Sequence, residues 1–244
     1  MYKTVTAVVL RTTKYSDKAS ILTVWSGTEG RLSLLVSATG GRESRRRRAL
    51  AMPMTVVECV ADFRPGRDIL PVREMRAALV TPQVSAHPVK AAVAMFMAEV
   101  LAMVTREGSG PEPLMWMAVT DALTALDTAR SAVAVANFPL WFMMRLASVT
   151  GIGPDASVWR RGMYFDMTEG LFRTSQPLGG VFLEPQAARL TARLLELPAR
   201  HLGKLRLGGG VRADALKKSL QYFTLHNIPL DRLRSPEVLH ALLH

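Results

Sequence analysis

Cysteine is nearly missing from this chain. Cys59 is the single thiol in 244 residues, so no internal disulfide can form, a reducing compartment fits, and no cysteine or histidine spacing suits a structural zinc site. Histidine is scarce and scattered over His87, His201, His226, His240 and His244. Only the last two stand four apart, on the final turn, where fraying argues against a bound metal. The acidic residues form no pair at a strand end that would serve as an acid–base dyad. The glycines of "RLGGGVRADALKKS" lack the Gly-Lys-Ser/Thr ending of a phosphate-binding loop, so helix capping explains them. Neither an enzyme nor a metal or cofactor site is expected. Long apolar runs are also absent. "MYKTVTAVVLRTT" is too short for a secretory signal, and "AAVAMFMAEVLAMV", residues 91–104, contains Glu99 and falls short of the roughly 20 residues of a membrane span. It reads as a buried helix, and a cytoplasmic, nucleoid-associated protein with no membrane contact is expected.

Negative charge is in short supply as well. Lys+Arg number 31 against 20 Asp+Glu, a net charge of +11 with pI near 10.5, which points to an anionic partner such as nucleic acid. Residues 1–80 carry 14 basic and 7 acidic side chains, and residues 81–244 carry 17 and 13. The excess is therefore concentrated at the front. A hydrophobic content of 49% supplies a core and rules out disorder of the whole chain.

The front of the chain is strand-like. "TVTAVVLRTT", "SILTVW", "RLSLLVSA", "MTVVECVADF" and "DILPVREM" are β-rich runs separated by turn residues, with one long connection between the third and fourth. Five such strands suit a small closed barrel of the OB type, with an SH3-like barrel as the competitor. Beyond residue 80 the spacing becomes helical. Helices are expected over 88–106, 112–130 and 138–150, the last two separated by a turn at Asn137-Phe138-Pro139, and again in "PQAARLTARLLEL", "RADALKKSLQYFTLH" and "SPEVLHALL", with start signals at Pro185, Asp214 and Ser235-Pro236. Loops and at most one hairpin fill the stretch between the two groups. The reading is thus α+β, a barrel domain over residues 1–80 and an all-helical domain over 81–244. The methionines Met95, Met97, Met103, Met115 and Met117 fit core packing better than an adaptable partner groove.

"GGRESRRRRAL", residues 40–50, places Arg42, Arg45, Arg46, Arg47 and Arg48 in the long connection. On a barrel this connection, residues 39–53, is expected to be an exposed and mobile loop whose guanidinium groups meet phosphates without reading sequence. A plain solvated loop is the bland alternative. Lys14, Lys18 and Arg31 sit near strand ends, with Lys3 and Arg11 behind them. Tyr15 and Trp25 are candidates for base stacking, although a strand tryptophan is more often core.

The residues Val9-Leu10, Tyr15, Ile21-Leu22, Gly30-Arg31 and Met52-Pro53 stand in an order and spacing that resemble the opening of the bacterial recombination mediator RecO family. Asp17 stands where that family usually has glutamate. "FPLWFMMRLASVTGIGPD", "YFDMTEG" and "LRSPEVLHALL" resemble its later segments. The zinc-binding cysteines that many members place around the "YFDMTEG" segment are absent here, as in some other members. The resemblance implies an OB-fold domain joined to a helical domain, without catalysis, binding single- and double-stranded DNA and annealing complementary strands. It also implies RecR as a partner in loading RecA onto strands coated by single-stranded DNA-binding protein, whose acidic tail docks in the helical domain. Arg130 and Arg145 are the candidates there by placement, and a monomer is expected. An RNA-binding or ribosome-associated OB module, or a basic adaptor protein, remains open as an alternative.

Overall fold

The computed structural model describes residues 1–37, 41–64, 66–105 and 110–243, and the side chains of residues 41–45 lie outside that description. Strands β1 (Tyr2–Ser16), β2 (Ala19–Ser26), β3 (Gly30–Ser37), β4 (Val56–Asp62) and β5 (Ile69–Leu79) close a barrel in the order β1-β2-β3-β5-β4, with β4 pairing back to β1. All neighbours are antiparallel except β3 and β5. Alternate side chains point inward, as period-two burial requires: Val5, Ala7 and Val9 from β1, Leu22 and Val24 from β2, Leu34 and Val36 from β3, Val57, Cys59 and Ala61 from β4, and Leu70 from β5. This strand order, with a helix between the third and fourth strands, is the OB arrangement and not the SH3-like one.

That helix corrects the reading of the arginine segment. Residues Gly41–Leu50 form α1 where an irregular loop was expected. Arginine is among the better helix formers, and the segment hides its helical character because Leu50 is its one large apolar residue. Leu50 reaches into the barrel core and is only 8% exposed, so α1 packs by its C-terminal end, with Arg46 and Arg48 exposed and Arg47 half-buried.

Contacts divide the chain into two compact units, Met1–Met117 and Ala118–His244. The change from strand to helix falls near residue 80, yet packing of the first unit continues through α2 (Pro82–Ala86) and α3 (Pro88–Val104) to the start of α4 (Pro113–Thr128). Trp25 shows why. Its buried indole donates to Glu112 Oε2 at 3.1 Å and packs tilted on Trp116 with ring centroids 5.6 Å apart, while the Glu112 amide donates to the Gly27 carbonyl at 2.9 Å. A Cβ on Gly27 would lie 2.6 Å from the Trp116 Cβ, so this turn admits only glycine without displacement. Of the methionines, Met97 and Met115 are buried, and Met95 and Met117 are exposed.

The second unit is built on α5 (Ala132–Val149). The expected turn at Asn137-Phe138-Pro139 is absent, because the helix starts at Ala132 behind the Ser131 cap and continues through Pro139. Asn137 is fully buried and its amide donates to the carbonyls of Leu202 at 3.2 Å and Leu205 at 2.6 Å, using the turn-forming side chain for tertiary contacts. Helix α5 is long and apolar enough to cross a membrane by length and composition, but 72% of it is buried, as in a core helix. Gly151, with φ of 80°, follows its C-terminus. A small sheet of β6 (Tyr164–Asp166), β7 (Leu171–Arg173) and β8 (Phe182–Leu183) then interrupts the helices, in the order β7-β6-β8. The unit ends with α6 (Pro185–Glu196), the 3-10 segment Ala199–Lys204, α7 (Gly209–Leu225) and α8 (Ser235–Leu243). Helix α7 opens at Gly209, so Asp214 lies beyond the first turn and pairs with Lys218 at 2.9 Å instead of marking the start.

Candidate nucleic-acid interface

One groove of the barrel unit gathers several of the residues selected from the sequence. Leu10, Arg11, Thr12, Ser20, Leu22, Val36, Ser37, Arg47, Arg48, Ala51, Met52 and Pro53 enclose about 460 Å³. Local backbone irregularity aims Arg11 at it. In β1 the inward positions run Val5, Ala7, Val9, and strict alternation would bury residue 11 next. Val9 pairs with Val24 but Arg11 pairs with Thr23, so Leu10 is an extra residue, a β-bulge that shifts the parity of everything after it. Arg11 is consequently exposed beside Thr23 and Leu10 is buried.

The opposite wall is fixed by the end of α1. Thr12 Oγ1 donates to the Ala51 carbonyl at 2.5 Å and Arg47 Nη1 donates to the Ser37 carbonyl at 3.0 Å, which ties the helix to β1 and β3. The chain then turns through Met54, whose φ of 63° is rare for a side chain of this size, and the Met54 amide donates to Val9 O at 2.7 Å. Met52 is left exposed at the mouth. Guanidinium groups at the rim suit phosphate oxygens in bidentate fashion, and Leu10, Leu22 and Val36 behind them are buried and apolar.

The remaining candidates are placed differently. Arg46 is exposed on α1 next to the groove, whereas the Arg42 and Arg45 side chains lie outside the described residues. Lys14 and Lys18 are exposed at the β1–β2 hairpin, where Lys14 pairs with Asp17 at 2.7 Å in full solvent, an ion pair worth little. Tyr15 in the same hairpin is 64% exposed, and Trp25 is core. Arg31 is half-buried and donates to the Thr105 carbonyl at 3.2 Å. Lys3 pairs with Glu29 at 2.7 Å. Arg130 and Arg145 are exposed in the second unit and line neither of two apolar cavities found there, one of about 290 Å³ around Met144, Phe165 and Leu190, the other of about 350 Å³ around Leu140, Leu216 and Leu239. Among the described residues no group of three or more His, Cys, Asp or Glu side chains could hold a metal ion, and His244 lies outside them.

Two cations went unnoticed in the sequence. Arg64 and Arg67, in the β4–β5 connection that OB barrels use for ligands, bind Asp62 at 2.9 and 3.2 Å. Asp62 also takes the N-terminal ammonium at 3.3 Å. Burial pushes its carboxyl up, but the ammonium and Arg64 outweigh that and hold it below the ordinary carboxylate range. The motif "DFRPGRD" shows the charges but not the clasp that holds them.

Two family profiles cover nearly the whole chain: Recombination protein O N terminal matches residues 1–78 and Recombination protein O C terminal matches residues 86–237. Among curated relatives, the "DNA repair protein RecO" of Bacteroides fragilis is 30% identical over 246 residues, covering 99% of each chain. That of Phocaeicola vulgatus is 29% identical over 242 residues with the same coverage, and that of Porphyromonas gingivalis 28% identical over 244 residues, covering 97% of each.

Proposed function

Because the chain belongs to the RecO family, whose role is in DNA repair and recombination, we propose that it is a DNA-binding recombination mediator that takes the phosphate backbone of single- and double-stranded DNA along the barrel groove and anneals complementary strands. The observation that carries this reading is the convergence of Arg11, Arg47 and Arg48 on one groove with an apolar floor. These cations come from two separate elements, and Thr12 and Arg47 anchor the helix that brings them together. A groove of this kind holds phosphates without selecting bases, which is what annealing of arbitrary complements requires. Annealing also requires the mutual repulsion of two polyanions to be lowered, and clustered guanidinium groups do that most strongly at low salt.

In the cell this activity would be used with RecR to assist RecA loading onto single strands coated by single-stranded DNA-binding protein, with the acidic tail of that protein meeting the second unit near Arg130 and Arg145. The chain would act without catalysis, in the cytoplasm, as a monomer until it meets RecR.

Fluorescence anisotropy of a labelled single-stranded oligonucleotide over a salt series tests the assignment of the groove. Replacing Arg46, Arg47 and Arg48 together by alanine is expected to lower the slope of log affinity against log salt by about 2, since each phosphate contact to a single strand contributes about 0.7. An unchanged affinity and slope would remove the groove from the DNA path. Equal weakening with single-stranded RNA of the same sequence is expected for backbone contacts, whereas a strong preference for RNA would favour an RNA-binding module.

A further inference from the structure

The second unit carries a cationic surface that neither the arginine-rich segment nor the two apolar cavities account for. Between residues 189 and 206 stand Arg189, Arg193, Arg200, Lys204 and Arg206 against the single acidic Glu196. All five cations are exposed. None forms an ion pair with an acidic side chain among the described residues.

The backbone that bears them is held firmly. Trp141 Nε1 donates to the Leu197 carbonyl at 2.8 Å, Asn137 reaches the carbonyls of Leu202 and Leu205, and Leu202 and Leu205 are buried. With those residues turned toward α5, the intervening Arg200 and Lys204, and Arg206 just after Leu205, are left on the outside. In α6 the apolar side, Ala188, Ala192 and Leu194, is buried, and Leu190 lines the 290 Å³ cavity. Arg189 and Arg193, four residues apart, therefore share the outer face of the helix.

From this we infer that the surface formed by α6 and residues 199–206 is a second phosphate-backbone site, separate from the barrel groove, so that one chain holds two nucleic-acid strands at independent places. Like charges on a rigid, pinned segment repel one another and gain from an anion of matching extent, and four of the five are arginines suited to bidentate phosphate contact. An acidic peptide anchored by apolar side chains fits less well, because none of the five cations lines either apolar cavity. The inference rests on the nucleic-acid reading of the barrel for its choice of ligand, but not on the barrel residues.

The test uses the full chain in three variants: Arg200→Ala/Lys204→Ala/Arg206→Ala on the new surface, the barrel triple at Arg46, Arg47 and Arg48, and a charge-matched control, Arg161→Ala/Lys217→Ala/Arg232→Ala. Each is first checked for an unaltered melting transition, and then measured by anisotropy on single-stranded DNA over a salt series and by annealing of two complementary oligonucleotides. The new-surface triple is expected to lower the salt slope by about 2 and to slow annealing at least fivefold, while the control changes neither. A slope and annealing rate equal to those of the parent chain would overturn the inference, as would an equal loss in the control. It would also be overturned if the triple kept its DNA affinity but lost binding to an aspartate-rich peptide, since the surface would then serve a protein. Failure of the barrel triple alone to weaken binding would count against the groove and leave this surface standing.

Discussion

At the scale of single residues, chemistry that looks reactive in the sequence is occupied with structure. Cys59 lies in the barrel core, where burial and then the neighbouring Glu58 charge push its thiol up to about 11, so it packs as a small apolar side chain. Tyr222 is the most informative buried group of the second unit. Its hydroxyl donates to the Ile152 carbonyl just beyond α5, its ring packs on Phe165 and His226, and burial pushes its ionisation up to about 12 from an ordinary 10.0. A folded-state value raised in this way contributes stability that is fully present below pH 10 and is lost as pH rises toward 12. Tyr222→Phe should therefore unfold about 1–2 kcal/mol more easily at neutral pH, because the Ile152 carbonyl loses its donor. The gap between the parent and the variant should then narrow between pH 10 and 12, as measured by urea unfolding at several pH values. A gap that stayed constant with pH would show that the hydroxyl is not held neutral by the fold. None of this was legible in the sequence, where "KKSLQYFTLH" gives a helical aromatic but not what its hydroxyl meets.

At the scale of elements, the strands were legible and the arginine segment was not. Period-two alternation in "TVTAVV" and "SILTVW" follows directly from a face turned to a core, and the barrel interior is those alternating residues. The β-bulge at Leu10 escapes such reading, because a local parity change in an apolar run leaves no signature in composition, and it is this bulge that brings Arg11 to the groove. Helix α1 was hidden for a different reason: a helix that packs through one residue at its end has no apolar stripe to detect. Its seating depends on that residue. Leu50→Ala should destabilise the barrel by about 3 kcal/mol through lost burial and the cavity left behind, and it should also weaken DNA binding, since Arg47 and Arg48 are carried on the same helix. Denaturant unfolding followed by tryptophan fluorescence, together with anisotropy under folded conditions, measures both. Unchanged stability would mean that Leu50 does not plug the core. Similarly, the helix-breaking look of Asn137-Phe138-Pro139 gave way to the tertiary bonds of the Asn137 amide, which no local rule contains.

At the scale of the whole molecule, net charge was readable from composition, and its organisation only in part. The arginine run marked the front of the chain, whereas the cations between Arg189 and Arg206 are spread over 18 residues of sequence, and it is the pinning of the backbone by Trp141 and Asn137 that leaves Arg200, Lys204 and Arg206 on the outside. Equally, the shift from strand to helix near residue 80 matches the gap between the two family profiles, at residues 79–85, while packing carries the first unit on to Met117 through Trp25, Glu112 and Trp116. The central claim is that paired backbones, and not base sequence, are what the chain holds. The measurement that meets it most directly is the annealing rate of two complementary labelled oligonucleotides with and without the protein across a salt series. Acceleration that declines steadily as salt rises, and that is lost when Arg46, Arg47 and Arg48 are replaced by alanine, is the predicted result. Tight binding without any acceleration, or acceleration that the triple replacement leaves intact, would contradict it.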